Sequence, residues 1–316
     1  MAGLDMETKN LLIHVATMKY KLDMTQKEIA DRLGYSSMQI SRLIDRAKKE
    51  GIVRIEIESN PSVDDALGNE LKNKYNLEDV YVFHSVDKEN QFNRLVSEAA
   101  SYMDLIIGQS DVVGLAGGRT ETKIIPKMKL PAIKSNNKLT VVQLAGGFLD
   151  FSSSSPFSTI HEFSLKFGAK GYFLPTPFYV KNPIALNELW NGSLSEIRKV
   201  WRKCTVTVNG IGTIGEDSLF VRQKAVTCEQ MNELVSKGAV GNLLGRWYDR
   251  NGNLIDCDLN REATSIPVED FMNINRRVLV SGDQDRLLAI HAVLNKGIYN
   301  VFITIDSVAE SLIDMK

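Results

Sequence analysis

At 316 residues, with 43% hydrophobic composition and a formal net charge of -1, the chain can form a small domain plus a large one, each with a core. This composition excludes wholesale disorder, and near neutrality leaves room for a small basic module diluted by a neutral remainder. Cys204, Cys228 and Cys257 and His14, His84, His161 and His291 show neither CxxC nor HExxH spacing. The expectation is therefore no metal and no cofactor, and cysteines that serve as small buried side chains in a reducing cytoplasm. The start, MAGLDMETKN, is charged, and no segment approaches the ~20 consecutive apolar residues of a membrane span, so neither a secretory leader nor a membrane partner is expected.

In chain order, Leu11, Leu12, Val15 and Met18 recur at the helical period and predict a first helix between Leu4 and Leu22. Thr25 then stands three residues before Glu28, the spacing of a capping box, and Ile29, Ala30 and Leu33 form one apolar face before Gly34. Ser36 and Gln39 repeat the box at once. Ile40, Leu43, Ile44 and Ala47 supply the next stripe, up to Gly51, and Ile52, Val53, Ile55 and Ile57 suggest a short strand or wing. The result is a three-helix module containing a helix-turn-helix.

Its second helix turns Ile40 and Leu43 inward and leaves Ser37, Met38, Gln39, Ser41 and Arg42 on an exposed first turn. Gln suits adenine N6/N7, Arg suits guanine O6/N7, and recognition helices read the major groove with their N-terminal residues. The candidate DNA-binding set is Thr25 and Gln26 at the start of one helix, and Ser36, Ser37, Met38, Gln39, Ser41, Arg42 and Arg46 at the next. A plain helical hairpin would carry the same caps. From Ser36 to Arg54, however, five basic residues stand against two acidic ones, an excess best used on phosphates.

Ser59, Asn60 and Pro61 break the pattern, placing the domains at 1–58 and 59–316. Beyond them the chain is α/β. Helix Val63 to Tyr75 leads to strand Val80 to Phe83, and helix Phe92 to Ile107 leads to strand Val112 to Ala116. Strand Leu139 to Leu144 precedes a helix around Ile160 to Phe167. Val206 to Val208, Val278 to Val280 and Val301 to Ile303 are further strands, the last two followed by helices Asp285 to Leu294 and Ser307 to Ile313. Strand, Gly-rich turn, helix is the unit of a parallel sheet, so a doubly wound, Rossmann-like domain is expected. Tyr248 to Gly252 reads as antiparallel decoration, a hairpin with Asn-Gly at its tip.

Ligands bind such sheets at the carboxyl ends of the strands, where strand order reverses. Gly117, Gly118, Arg119 and Thr120 offer bare amides, a guanidinium and a hydroxyl that suit a phosphate dianion, although Gly-Gly after a strand also serves as a plain tight turn. Neither GxxxxGK[ST] nor a helix-opening GxGxxG is present.

The ordered segments TQKEIADRLGYSSMQISRLIDRAKKEGIV, VVGLAGGRT, VVQLAGG, NGIGTIG, KGAVGNLLGRWYDRNGNLID and VLVSGDQDRLLAIHAVLNKGIYNVFIT resemble SorC/DeoR-type bacterial transcription regulators over nearly the whole chain. The resemblance implies a winged-type helix-turn-helix joined to an effector domain related in fold to sugar-phosphate isomerases and deaminases. It further implies a phosphorylated sugar as effector and a homo-oligomer, a tetramer, on operator DNA. Carried onto this sequence, the effector site comprises Gly117, Gly118, Arg119 and Thr120, then Gln143, Gly146 and Gly147 of the second loop, Gly241 and Asn242, Arg286 and Asp306. Arg119 stands where the family has a hydroxyl residue, Arg286 where it has a lysine, and Asn242 where it has an aspartate. The family's last acid falls on Ile305 or Asp306. Deoxyribose-phosphate regulators of this type form an imine through a lysine whose position here is Ala145, so noncovalent binding is expected.

Two functions follow. One is a regulator of a carbohydrate-utilisation operon, with repression as the expected direction. The other is a sugar-phosphate isomerase or deaminase carrying a DNA-binding head, which needs a placed acid/base pair that the loops do not supply. His291 fits a packed helix position better than a catalytic one. A sensor of unphosphorylated ligand would be favoured if Thr120 and Arg286 lay far apart.

Overall fold

A computed structural model describes residues 6–53, 64–84, 91–130, 138–148, 155–192 and 194–315. The chain divides into two compact units, Met1–Asn60 and Pro61–Lys316.

The small unit holds helices α1 (Met6–Tyr20), α2 (Gln26–Leu33) and α3 (Ser37–Lys49). Val15, Met18, Ile29, Ala30, Ile40 and Ile44 form its main core, and Leu12, Ala16 and Ala47 form a second cluster covered by Ile52 and Val53. Both capping boxes are made. Thr25 N donates to Glu28 Oε2 at 2.8 Å while Glu28 N donates to Thr25 Oγ1 at 3.2 Å. Ser36 N donates to Gln39 Oε1 at 2.8 Å while Gln39 N donates to Ser36 Oγ at 3.3 Å. Gly34, at φ 73°, ends α2 in the left-handed region that a side chain would strain. Helix α3 ends on Glu50 as its cap, just before Gly51. Arg54, Ile55, Ile57 and the expected linker at Ser59 to Pro61 lie outside the described residues.

The large unit contains β1 (Asp79–Phe83), β2 (Val112–Leu115), β3 (Thr140–Gln143), β4 (Lys170–Tyr172), β5 (Val206–Asn209), β6 (Ala239–Leu243), β7 (Arg246–Asp249), β8 (Arg276–Val280) and β9 (Val301–Ile305). Seven of these form one sheet in the order β1-β9-β8-β5-β2-β3-β4, with every pairing parallel. Strands β5 and β9 are buried along their whole length, as a sheet covered on both faces requires. From β2 the chain steps outward through β3 and β4, then returns to the other side of β2 with β5 and continues through β8 and β9. The strand order therefore reverses between β2 and β5.

The antiparallel decoration differs from expectation. Strands β6 and β7 pair with each other around Leu244 and Gly245, which have φ of 53° and 84°. Two consecutive positive φ values suit a two-residue hairpin, but leucine carries no turn signal, so β6 is invisible in the sequence. The Asn251-Gly252 turn exists, closed by Gly252 N donating to Asp249 O at 2.9 Å, but it returns the chain for a single bridge, Tyr248 to Leu254. Strand β4 was likewise unforeseen. Cys204 and Cys257 are buried as expected, whereas Cys228, the first residue of helix Cys228–Ser236, is exposed. Among the described residues no helix is long and apolar enough to cross a membrane.

Candidate functional site

A cavity of about 420 Å³ opens at the strand-order reversal, lined by 116–123 after β2, 209–213 after β5, Phe148, Phe178, Leu219, Phe220, Arg222, Asn242, Leu244, Gly245 and Arg286. Close approach of three loops builds it. A Cβ on Gly210 would come within 2.5 Å of Thr120 Oγ1, and one on Gly212 within 2.1 Å of Asn242 Nδ2, so only glycine lets the loop after β5 fit between them. One wall is aromatic: Phe178 has its ring centroid 4.7 Å from that of Phe148 and 4.8 Å from that of Phe220.

Gly117, Gly118, Arg119, Thr120, Asn242 and Arg286 all line this one cavity. Gly118 holds φ 102° with open space where a Cβ would stand, so its need for glycine is conformational. The amides of Gly118, Arg119 and Thr120 and the Thr120 hydroxyl have no hydrogen-bond partner among the described residues. Asn242 is 6% exposed; its Oδ1 accepts from Gly245 N at 3.3 Å, and its buried Nδ2 is unpaired. Arg286 donates Nη1 to Ile211 O at 2.9 Å and sets Nη2 3.0 Å from Asp283 Oδ2, while its buried Nε lacks a hydrogen-bond partner and lies 3.9 Å from Asp285 Oδ1. Burial lowers its pKa, against the attraction of Asp283. Arg119 reaches the same carboxylate, Nη2 to Asp283 Oδ2 at 2.6 Å, with its guanidinium carbon 4.7 Å from the Phe92 ring centroid. Asp283 thus bridges the two arginines.

The other candidates do not line the cavity. Gln143 is a buried tie, donating Nε2 to Ala145 O at 2.7 Å and Leu174 O at 3.1 Å and accepting from Leu174 N. Gly146 lies where a Cβ would meet Pro177 O at 2.3 Å, Gly147 forms a bridge with Pro177, and Gly241 packs against Tyr248 and Ala289. The second loop reaches the cavity through Phe148 instead. Asp306 opens the final helix, accepts from Ser307 N and lies 3.6 Å from His84 Nδ1. Ala145 is fully buried. His291 packs edge-on against Tyr75, whose hydroxyl is 2.8 Å from Nδ1.

Sequence reasoning missed Glu121, Asn209, the three phenylalanines and the cations Lys123 and Arg222. Glu121 is 1% exposed beneath the loop. Its Oε2 accepts from Ala116 N at 2.9 Å and Gly117 N at 2.7 Å, and its Oε1 lies 2.8 Å from Asn209 Nδ2. Gly117 therefore gives its amide to the protein, and the loop's donors to a ligand begin at Gly118. Burial raises the Glu121 pKa to about 8, opposed by those hydrogen bonds. A polar residue closing the apolar run of β5 was the one signal for Asn209. Among the described residues no group of His, Cys, Asp and Glu could hold a metal.

In the small unit Ser36, Ser37, Met38, Gln39, Arg42 and Arg46 are exposed, as are Thr25 and Gln26, whereas Ser41 is half-buried. Met38 and Arg42 lie opposite the buried stripe and touch, Arg42 Nη2 donating to Met38 Sδ at 3.9 Å. Gln39 Oε1 accepts from both Ser36 N and Ser36 Oγ, at 2.8 and 3.0 Å. A bidentate contact with adenine would need that same oxygen.

A family model described as "Putative sugar-binding domain" matches residues 59–314, and one described as "Winged helix-turn-helix DNA-binding" matches residues 23–54. The chain is 28% identical over 317 residues to the deoxyribonucleoside regulator of Bacillus subtilis strain 168, spanning 98% of this chain and 99% of that one. It is 26% identical over 308 residues to the erythritol catabolism regulatory protein of Brucella abortus strain 2308, spanning 96% of each. In fold it is similar to the full-length sorbitol operon regulator SorC from Klebsiella pneumoniae, with a TM-score of 0.71 and 22% identity over 98% of this chain and 100% of that chain.

Proposed function

The chain belongs to the sugar-binding SorC/DeoR-type transcriptional regulators, and from that premise we propose that its operator affinity is set by reversible, noncovalent binding of a phosphorylated sugar. One observation carries this reading: residues that carry donors without hydrogen-bond partners line one cavity at the strand-order reversal. The amides of Gly118, Arg119 and Thr120, the Thr120 hydroxyl and the Arg286 guanidinium suit a phosphate. Asn242 Nδ2 suits a sugar hydroxyl, and the phenylalanine wall suits the apolar face of the sugar. Thr120 and Arg286 share the cavity, which favours a phosphorylated ligand over an uncharged one. With Ala145 at the imine position, no covalent step is assigned.

Helix α3 reads the operator, with Met38 and Arg42 as its outward residues. One head makes few phosphate contacts, so linked heads of a homo-oligomer, a tetramer by family resemblance, engage paired half-sites in the cytoplasm. The controlled genes serve carbohydrate use, and effector relieves repression by binding the two states of the protein unequally.

The test is a gel shift on a DNA fragment selected from a random pool by the purified protein, titrated with sugar phosphates and their unphosphorylated parents. At least one sugar phosphate, and not its parent, changes the fraction bound. A panel without effect, or an equal effect of the parent sugar, refutes the phosphorylated effector.

A further inference from the structure

Beneath the loop runs a chain of three polar side chains with more contacts than protons. Thr207 Oγ1 lies 2.8 Å from Gly114 O and 3.0 Å from Asn209 Oδ1, and Asn209 Nδ2 lies 2.8 Å from Glu121 Oε1. All three side chains are buried. A threonine hydroxyl has one proton, so it cannot donate to both oxygens.

Two arrangements satisfy the chain, differing by one proton and one amide flip. With Glu121 ionised, Asn209 donates Nδ2 to the carboxylate and accepts from Thr207, and Gly114 O goes without the hydroxyl. With Glu121 protonated, the carboxyl O–H donates to Asn209 Oδ1, the turned amide donates to Thr207 Oγ1, and Thr207 donates to Gly114 O. In both, Ala116 N and Gly117 N still donate to the other Glu121 oxygen.

We infer that Glu121 sets the charge of the effector site, an anion at Gly118 to Thr120 being bound by the form in which Glu121 is protonated and Asn209 turned toward Thr207. The inference rests on the reading above that an anion occupies this loop. Its cause is Coulombic. An ionised Glu121 already accepts from Ala116 and Gly117, at the start of the loop whose next three residues line the cavity, and a second negative charge in this low-dielectric site repels it. The other charged groups around the cavity are Arg119 and Lys123 on the same loop and helix, Arg222 on helix Leu219–Arg222, and Arg286 after β8 with its partners Asp283 and Asp285. Buried Tyr299 is the further titratable group within electrostatic reach of Glu121. Burial raises the Glu121 pKa to about 8, inside a pH range the folded chain can be titrated over.

Inorganic sulfate, a dianion throughout the pH range used, separates the protein's titration from the ligand's. Calorimetric titration of the full chain from pH 5 to 9.5 should show sulfate affinity falling ~tenfold per pH unit above the Glu121 midpoint, the slope of one linked proton. Glu121→Gln reproduces the protonated arrangement and should bind sulfate without that slope, at least as tightly as wild type at pH 9. Difference infrared spectra of wild-type protein at pH 8.5 should gain a protonated-carboxyl band on adding sulfate, a readout that needs no variant to fold. No sulfate binding by either protein at any pH overturns the anion site itself. Binding with a flat wild-type profile, a slope that survives in Glu121→Gln, or no carboxyl band overturns the proton coupling alone.

Discussion

Replacing Glu121 by glutamine should stabilise the large unit, by an amount that grows with pH. In the folded chain burial holds the Glu121 pKa at about 8, against an ordinary value of 4.5. Between those values the unfolded chain has released the proton and the folded chain keeps it, so the folded state binds more protons and stability falls as pH rises. Each pH unit in this window removes about 1.4 kcal/mol, which gives about 3 kcal/mol at pH 7 and about 5 kcal/mol by pH 8. Glutamine fits the same space, accepts from Ala116 N and Gly117 N, and donates to a turned Asn209, without a proton to hold. Wild type and Glu121→Gln should therefore lie closest near pH 4.5, diverge to pH 8 and run parallel above it. Urea unfolding followed by tryptophan fluorescence reads this unit alone, because Trp190, Trp201 and Trp247 all belong to it. Parallel curves from pH 5 to 8, or a wild type that gains on the variant with rising pH, would show that the carboxyl group is not held protonated by burial.

Three other substitutions test separate steps. Arg42→Ala should weaken binding to the selected operator by about 1–3 kcal/mol and relax base preference at one position in a competition gel shift, whereas equal loss on all sequences would make Arg42 a phosphate contact. Ser36→Ala removes the acceptor for Gln39 N and the hydroxyl that holds Gln39 Oε1, and should cost the small unit about 1 kcal/mol by thermal melting; an unchanged midpoint would deny the box its stabilising role. Thr120→Val keeps the volume and deletes a hydroxyl that no described residue uses, so unfolding should stay within ~0.5 kcal/mol while effector binding weakens by about 1.5–3 kcal/mol, and unchanged effector affinity would remove Thr120 from the site.

What could be read in advance follows the range of the forces involved. The helix-turn-helix rests on contacts three residues apart, Thr25 with Glu28 and Ser36 with Gln39, so its signal is written locally. Strands β2, β3, β5 and β8 are apolar-rich runs that lead into glycine, also a local signal. Strand β6 carries neither mark: its pattern, AVGNL, is broken by Gly241, which exists to admit Tyr248 and Ala289, and its turn uses a leucine in a glycine conformation. Packing against distant partners settles both.

The candidate effector site divides on the same line. Gly118, Thr120 and Arg286 could be named because donors beside a strand end have an evident use, but what competes for those donors could not. Asp283 claims one face of Arg286 and turns Arg119 back on itself, across a sequence separation of 164 residues for the Arg119 contact. Glu121, directly after Thr120, takes the Gly117 amide only because Asn209, 88 residues on, anchors its other oxygen. An anion bound as proposed would therefore meet a loop whose inner donor is taken and an arginine that already has carboxylate partners. Its affinity depends on the difference between phosphate and these internal anions rather than on phosphate contacts alone. Such exchange would keep the proposed binding reversible.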